Sequence, residues 1–486
     1  MECAFSNEIK FSIVRVEWPI VCMAGSESQF IGLAALAFQS VRVASVPICG
    51  LNVWNLETTG TAVVDGTIRC YHPVMWHSIP LTLFWFAYFG SLGIFFPFFT
   101  LYLRENAGLS GTEVGLILAI TPLVGMFAQP VWGQIADRTG ARSRTLAFLT
   151  TGTALGYLGL GAASGFWPIV LATAMLALVG SAIFPMMTSV SLAILRGAGR
   201  HAFGHVRAWG TLGYFIVILL FPWMLQKFPP PLEHSAISAG VSQPGLGLMF
   251  PITAGLVFVA AFIAFFIPKK GAVALRAERG DWHELVGNRA FVRFLGFSLL
   301  VHFLMQGPMW LFPLFVRSRG GDLTTIRDMW ILMLLVEIPL VLSTGSGLKR
   351  LGARGLLVIG VLVGGIRWTL CALIADSTLL FAVQALHGVT VVGLNIGSPL
   401  YLDVVAPEKL RSTAQGILSM VATGIAGMAS NIWAGWFIDR SGIDGLYLIC
   451  GAGLLVLGGL GCWILPAARS SAREIQPVAL PSDTAA

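Results

Sequence analysis

Four ionisable side chains stand in the middle of long apolar runs: His302, Glu337, Arg367 and His387. A charge at the centre of a lipid-spanning segment costs about 3 kcal/mol even on lenient scales, so it is kept where it is paired, wetted or at work. Glu337 and Arg367 carry opposite charges on neighbouring runs and are expected to be mutual partners. His387 can change charge near neutral pH. An acid, a fixed cation and a histidine around one cavity can take up a proton and release it, so Glu337, Arg367 and His387 are the expected proton-coupling residues. A purely structural Glu337–Arg367 ion pair is the plainer alternative. His302 reads as a packing residue, hydrogen-bonded where it sits. Gln129, Gln306, Gln384, Asn395 and Asn431 add polar surface to the same runs. The chain offers no nucleophile–base pair and no phosphate loop, and its seven cysteines lack metal-ligand spacing, so no catalytic residue, metal or cofactor is expected.

Such groups need apolar elements to hold them. Of 486 residues, 56% are hydrophobic and 11% charged, with a mean hydropathy of +0.81. Soluble domains carry about 25% charged residues, which excludes that class. A helix needs about 20 apolar residues to cross a bilayer. Twelve such runs follow Pro73, at 78–103, 112–133, 144–163, 166–195, 206–225, 247–268, 291–316, 325–347, 355–375, 378–401, 412–437 and 444–465. The expected fold is therefore an all-α membrane protein, with twelve transmembrane helices in two six-helix pseudo-symmetric halves. The halves are 75–268 and 291–466, joined by a charged cytoplasmic linker at 269–290 and followed by a tail at 467–486. Arg138-Thr-Gly-Ala-Arg142 recurs as Arg350-Leu-Gly-Ala-Arg354, at the equivalent loop of each half. Halves of this kind place a solute near the bilayer midplane, between them.

The net charge of +7 is distributed unevenly. With the N-terminus inside, only six basic residues fall in the outer loops: Arg104, Lys227, Arg317, Arg319, Arg327 and Arg440. The positive-inside rule accounts for that asymmetry without a nucleic-acid partner, and puts both termini in the cytoplasm of an inner-membrane protein. The expected partners are a small solute, a proton and the lipid bilayer, and the expected state is a monomer. Residues 1–74 differ in character. The first 70 hold six of the 23 acidic residues and four of the seven cysteines, with no run long enough to cross a membrane. They read as a poorly ordered cytoplasmic extension or as sequence upstream of a true start at Met75. A chain beginning at Met75 is expected to insert and transport normally.

Gly133-Gln-Ile-Ala-Asp137-Arg138-Thr-Gly140-Ala-Arg142 follows the second run. It resembles the signature loop of the major facilitator superfamily, apart from Ala141, where that pattern has a basic residue. Gly133 is expected to let its helix pack closely, Asp137 to pair with a basic residue or a helix N-terminus, and Arg138 and Arg142 to help shut the cytoplasmic face. Phe96-Pro97-Phe98-Phe99, Gln129-Pro130 and the stretch Phe203–Tyr214 are similar to the lactose permease group. The nearest likeness is to its phenylpropionate-permease-like branch, followed by nucleoside–proton symporters. That resemblance implies substrate contacts from Arg207 and Tyr214, with His387 and Arg367 at the coupling site and Glu337 as the acid beside them. It also shows departures. Ser189 stands where an acid would neutralise the arginine, Thr390 where the proton-carrying glutamate would be, and Gln384 where a lysine would be. Arg207 without an acidic partner points towards an anionic or strongly polar solute. The expected function is a secondary transporter, not an enzyme, moving an aromatic acid, nucleoside or small sugar by proton symport. A sensor on the same scaffold is the alternative, although it would ordinarily carry a soluble domain.

Overall fold

Lipid offers backbone N–H and C=O groups no partner, and a helix pairs them all within one segment. The computed structural model describes residues 61–64, 67–70, 72–195, 202–227, 244–268 and 282–466. After a pair of short strands, Thr61–Val64 and Thr67–Cys70, the described chain is helical. Helix α1 (His72–Leu101) runs into a π-helical turn, Tyr102–Asn106, and is followed by α2 (Gly111–Thr139) and α3 (Arg142–Ala162). Next come α4 (Phe166–Gly180), α5 (Ile183–Ile194), α6 (Ala202–Lys227) and α7 (Met249–Ala264). The remainder comprises α8 (Trp282–Gly287), α9 (Arg289–Trp310), α10 (Phe312–Ser318), α11 (Leu323–Leu373), α12 (Ser377–Val383), α13 (His387–Val391), α14 (Ser398–Val405), α15 (Arg411–Ser419) and α16 (Ala426–Ile464). Among the described residues, nine spans are long and apolar enough to cross a membrane.

Several expected runs are broken. The run 166–195 divides into α4 and α5 at Ser181–Ala182. The run 378–401 carries a 3₁₀ turn at Gln384–Leu386 and a π-helical turn at Val392–Gly397. Such irregular turns shift the facing of the side chains that follow. Within α11 and α16 the backbone leaves the helical conformation at Gly352 (φ 67°) and Gly442 (φ 78°), so each comprises two helices joined across a kink, with the expected runs 325–347 and 355–375, and 412–437 and 444–465, on either side. Gly140 (φ 64°) and Gly352 hold the same place in the repeated Arg-x-Gly-Ala-Arg loops and share the left-handed conformation. The described part of the 269–290 linker holds α8 and the first two residues of α9; residues 1–60, 269–281 and the tail 467–486 lie outside the described residues.

The helices pack through glycine. On α6, a Cβ added at Gly213 would collide with the backbone carbonyl of Phe86 on α1, and one at Gly93 would come 2.7 Å from the Tyr214 carbonyl oxygen. With no apolar gain to draw helices together in lipid, this close van der Waals contact is what joins α1 to α6. Gly213→Val is therefore expected to remove folded protein from the membrane. Detergent-solubilised yield and melting temperature check this, with Gly255→Val, where open space surrounds the added Cβ, retaining both.

Candidate solute and proton site

The tight α1–α6 seam fixes Arg207. Gly210, one turn further along α6, lies beneath the rings of Trp85 and Phe89. The Arg207 guanidinium stands 5.7 Å from the Trp85 ring, 5.8 Å from Phe89 and 5.7 Å from Phe184 on α5. Trp85 is held in turn by its indole N–H, which donates to Ser191 Oγ at 3.0 Å. Three aromatic faces around one cation attract it electrostatically and restrict its rotamers. Sequence reasoning missed this cage, although Trp85 and Phe89 are four apart and so share a helix face. The Tyr214 hydroxyl, two turns on from Arg207, is buried with no hydrogen-bond partner among the described residues.

Glu337 does not pair with Arg367. Its half-buried carboxylate acts electrostatically on Arg207, and its charge also reaches Tyr214. Arg367 is fully buried elsewhere. Its Nε and Nη2 donate to Gln384 Oε1 at 3.1 and 2.8 Å, Nη1 lies 3.2 Å from His387 Nδ1, and the guanidinium stacks on Trp368 at 4.1 Å. Because the guanidinium only donates, Nδ1 of His387 must accept, which assigns the imidazole proton to Nε2. The expected ion pair was drawn from adjacency in sequence. Helices apolar on every side carry no signal of which face meets which neighbour, and the Gln384 amide satisfies the guanidinium instead. His387 still comes close to Glu337's helix: a Cβ at Gly388 would lie 3.1 Å from the Glu337 backbone. His302 behaves as expected of a packing residue, with Nδ1 2.8 Å from Ser298 O.

At the signature loop, Gly140 ends α2 in the left-handed conformation. Asp137 pairs with Arg142 at 2.7 Å, and Arg142 donates to Ser189 Oγ at 2.9 Å. Arg138 is exposed. Gly133 differs from expectation, because a Cβ there would meet nothing within 4 Å. It faces a cavity of about 180 Å³ lined by Gln129, Asp137, Arg142, Met186 and Ser189.

The opposite end, where α1 turns into α2, is tied shut. Arg317 meets Glu105 with two hydrogen bonds, at 2.7 and 3.1 Å. Asp439 accepts the Gly111 and Thr112 N–H groups at 2.8 and 2.7 Å, and Asn431 donates to Leu118 O at 3.2 Å. Phe96 packs on Trp310 and Trp330, with centroids 4.2 and 5.2 Å apart. Each contact joins residues before 268 to residues after 282.

The chain is similar to known proteins. The maltose permease of Geobacillus stearothermophilus is 30% identical over 385 residues, which cover 77% of this chain and 92% of that protein. The probable 3-phenylpropionic acid transporter of Escherichia coli is 25% identical over 410 residues, 83% and 98% of the two chains. A solved mutant of the nucleoside transporter NupG superposes with a TM-score of 0.70 at 18% identity, covering 80% of this chain and all of that one. The model of the MFS_1 like family matches residues 78–449, and the chain belongs to that transporter family of the major facilitator superfamily.

Proposed function

We propose that this protein is a proton-coupled symporter that moves a small, hydroxyl-rich solute across the cytoplasmic membrane by alternating access. Twelve spans follow if Thr413–Ile464 counts twice, divided at Gly442, and if α3 and the part of α11 before Gly352 join the nine apolar spans. They form two six-helix halves, with the α1–α2 turn outside and the signature loop and both termini in the cytoplasm. The protein works as a monomer, its cleft lying between the halves. In the arrangement described here that cleft opens inward.

The observation that carries this reading is that Arg207 on α6 and Glu337 on α11 lie within electrostatic reach of each other. An unopposed arginine would favour an anionic solute, but an arginine facing a carboxylate favours an uncharged one that donates to Glu337 and accepts from Arg207. A sugar meets both requirements, in keeping with the maltose permease likeness, and a nucleoside comes next; an aromatic acid fits less well. Tyr214 supplies a further hydroxyl. Glu337 carries the proton, because its counter-charge lies in the other half and is brought near or taken away as the halves rock. Arg367 and His387 form a polar brace inside the second half that orients the wall beside Glu337. Proteoliposomes with and without an imposed pH gradient, offered maltose, uridine and 3-phenylpropionate, test the proposal. Gradient-dependent accumulation of an uncharged solute is expected; accumulation of 3-phenylpropionate alone would overturn the solute class.

A further inference from the structure

The residues that close the outer end repeat the signature. Gly133-x-x-x-Asp137-Arg138-Thr-Gly140 ends α2, and Gly435-x-x-x-Asp439-Arg440-Ser-Gly442 stands within α16, 302 positions later. Both copies end on a left-handed glycine, with φ 64° and 78°. The match extends to the starts of the same two spans. Thr112 and Gly115 near the beginning of α2 correspond to Thr413 and Gly416 in α15, here 301 positions later. The one-residue change of offset falls where the second span contains a π-helical turn, Met420–Ile425, and such a turn is one inserted residue. A third, partial copy, Gly345-x-x-x-Lys349-Arg350-Leu-Gly352, has lysine in place of the aspartate.

The full copies differ in what they touch. In the second, Asp439 holds the first turn of α2 through the Gly111 and Thr112 N–H groups and the Thr112 hydroxyl, at 2.8, 2.7 and 2.7 Å. Gly435 packs against Gly115, where a Cβ would come 2.7 Å from the Gly115 Cα. A carboxylate there satisfies two orphaned donors of the helix and opposes its positive end. In the first copy Asp137 pairs with Arg142 of the same loop, at 2.7 Å, and Gly133 and Gly416 each have open space around an added Cβ.

We propose that Gly435–Gly442 is an outer-face copy of the signature, and that Asp439 is the latch that keeps the outer end shut. This rests on the alternating-access reading above. The two spans cross as reciprocal partners. When the outer latch is made, Gly115 and Gly435 touch while Gly133 and Gly416 are apart, and the transition exchanges one glycine contact for the other. The latch is made of charge and backbone donors, which can part into water at the outer surface without leaving a buried group unpaired.

The test reads the outer end directly, without solute, so it does not depend on whether Arg207 and Glu337 bind one. Spin labels are placed at Ser164 and Ser441, both exposed at the outer end, in a background lacking other cysteines, and their distance is measured in lipid nanodiscs. Losing a helix cap changes an equilibrium by roughly 2- to 30-fold. Asp439→Asn is expected to raise the ratio of long to short distances about fivefold or more, and Asp137→Asn to lower it. The double variant should return towards the unsubstituted ratio. Thr112→Val, which removes only the hydroxyl contact, should move the ratio in the Asp439→Asn direction by less, and it serves if Asp439→Asn folds poorly. An unchanged distribution in both Asp439→Asn and Thr112→Val overturns the latch. A double variant indistinguishable from Asp439→Asn alone overturns the reciprocity.

Discussion

Replacing Glu337 with glutamine is expected to abolish uphill accumulation of solute while leaving exchange of solute across the same membrane intact. Glutamine keeps the shape and a hydrogen-bonding amide but cannot take up or release a proton. Net symport requires that the site return across the membrane empty and deprotonated; exchange requires only that it cross loaded. Proteoliposomes assayed both ways, for accumulation under an imposed pH gradient and for counterflow with solute on both sides, separate the two. Accumulation should fall to the level of protein-free vesicles, with counterflow within about threefold of the unsubstituted protein. Accumulation that survives in Glu337→Gln would move the proton elsewhere, to His387 first. Loss of both activities would leave Glu337 a structural partner of Arg207.

The second large effect is expected at Arg207. Lysine preserves its charge but not the planar fork, and a compact ammonium cannot lie flat among the faces of Trp85, Phe89 and Phe184. A charge-assisted hydrogen bond contributes about 1.5–3 kcal/mol, so Arg207→Lys should weaken solute binding roughly 10- to 150-fold. Equilibrium titration of the purified protein measures this, and unchanged affinity would remove Arg207 from the site. Arg367→Lys offers a contrast. Arg367 is buried against Trp368 and fixed by Gln384 and His387, so its main effect should be on stability, through loss of the stacked, bidentate brace.

The sequence was legible where physics acts along the chain. Apolar run length marked the helices, so that the expected 112–133 and 206–225 lie within α2 and α6. Arg207, Glu337, Arg367 and His387 stood out because lipid makes an idle charge costly. What sequence could not supply was facing. Glu337 and Arg367 lie on either side of the kink at Gly352, only 30 positions apart, yet the basic residue acting electrostatically on Glu337 is Arg207, 130 positions earlier. Helices that are apolar all round have no polar face to betray orientation, and the turns at Gln384–Leu386 and Val392–Gly397 shift it again. Gly133 was misjudged for a related reason. A small residue shows that close contact is permitted, not that it is made in the conformation at hand. Arg317 was counted only as an outer-loop charge, and the fold is what brings Glu105 to it.

In the proposed site one solute is held between Arg207 on α6 and Glu337 on α11. A double-mutant cycle on solute affinity tests it most directly, using Arg207→Lys, Glu337→Gln and the pair together, titrated in detergent at one pH. Residues acting on one bound molecule, and on each other, couple by roughly 0.5–3 kcal/mol, whereas independent sites add to within about 0.5 kcal/mol. A coupling of at least about 1 kcal/mol is expected, with the double variant binding more tightly than the sum of the single losses implies. Single losses that simply add would contradict it, since the two side chains would then not share a solute.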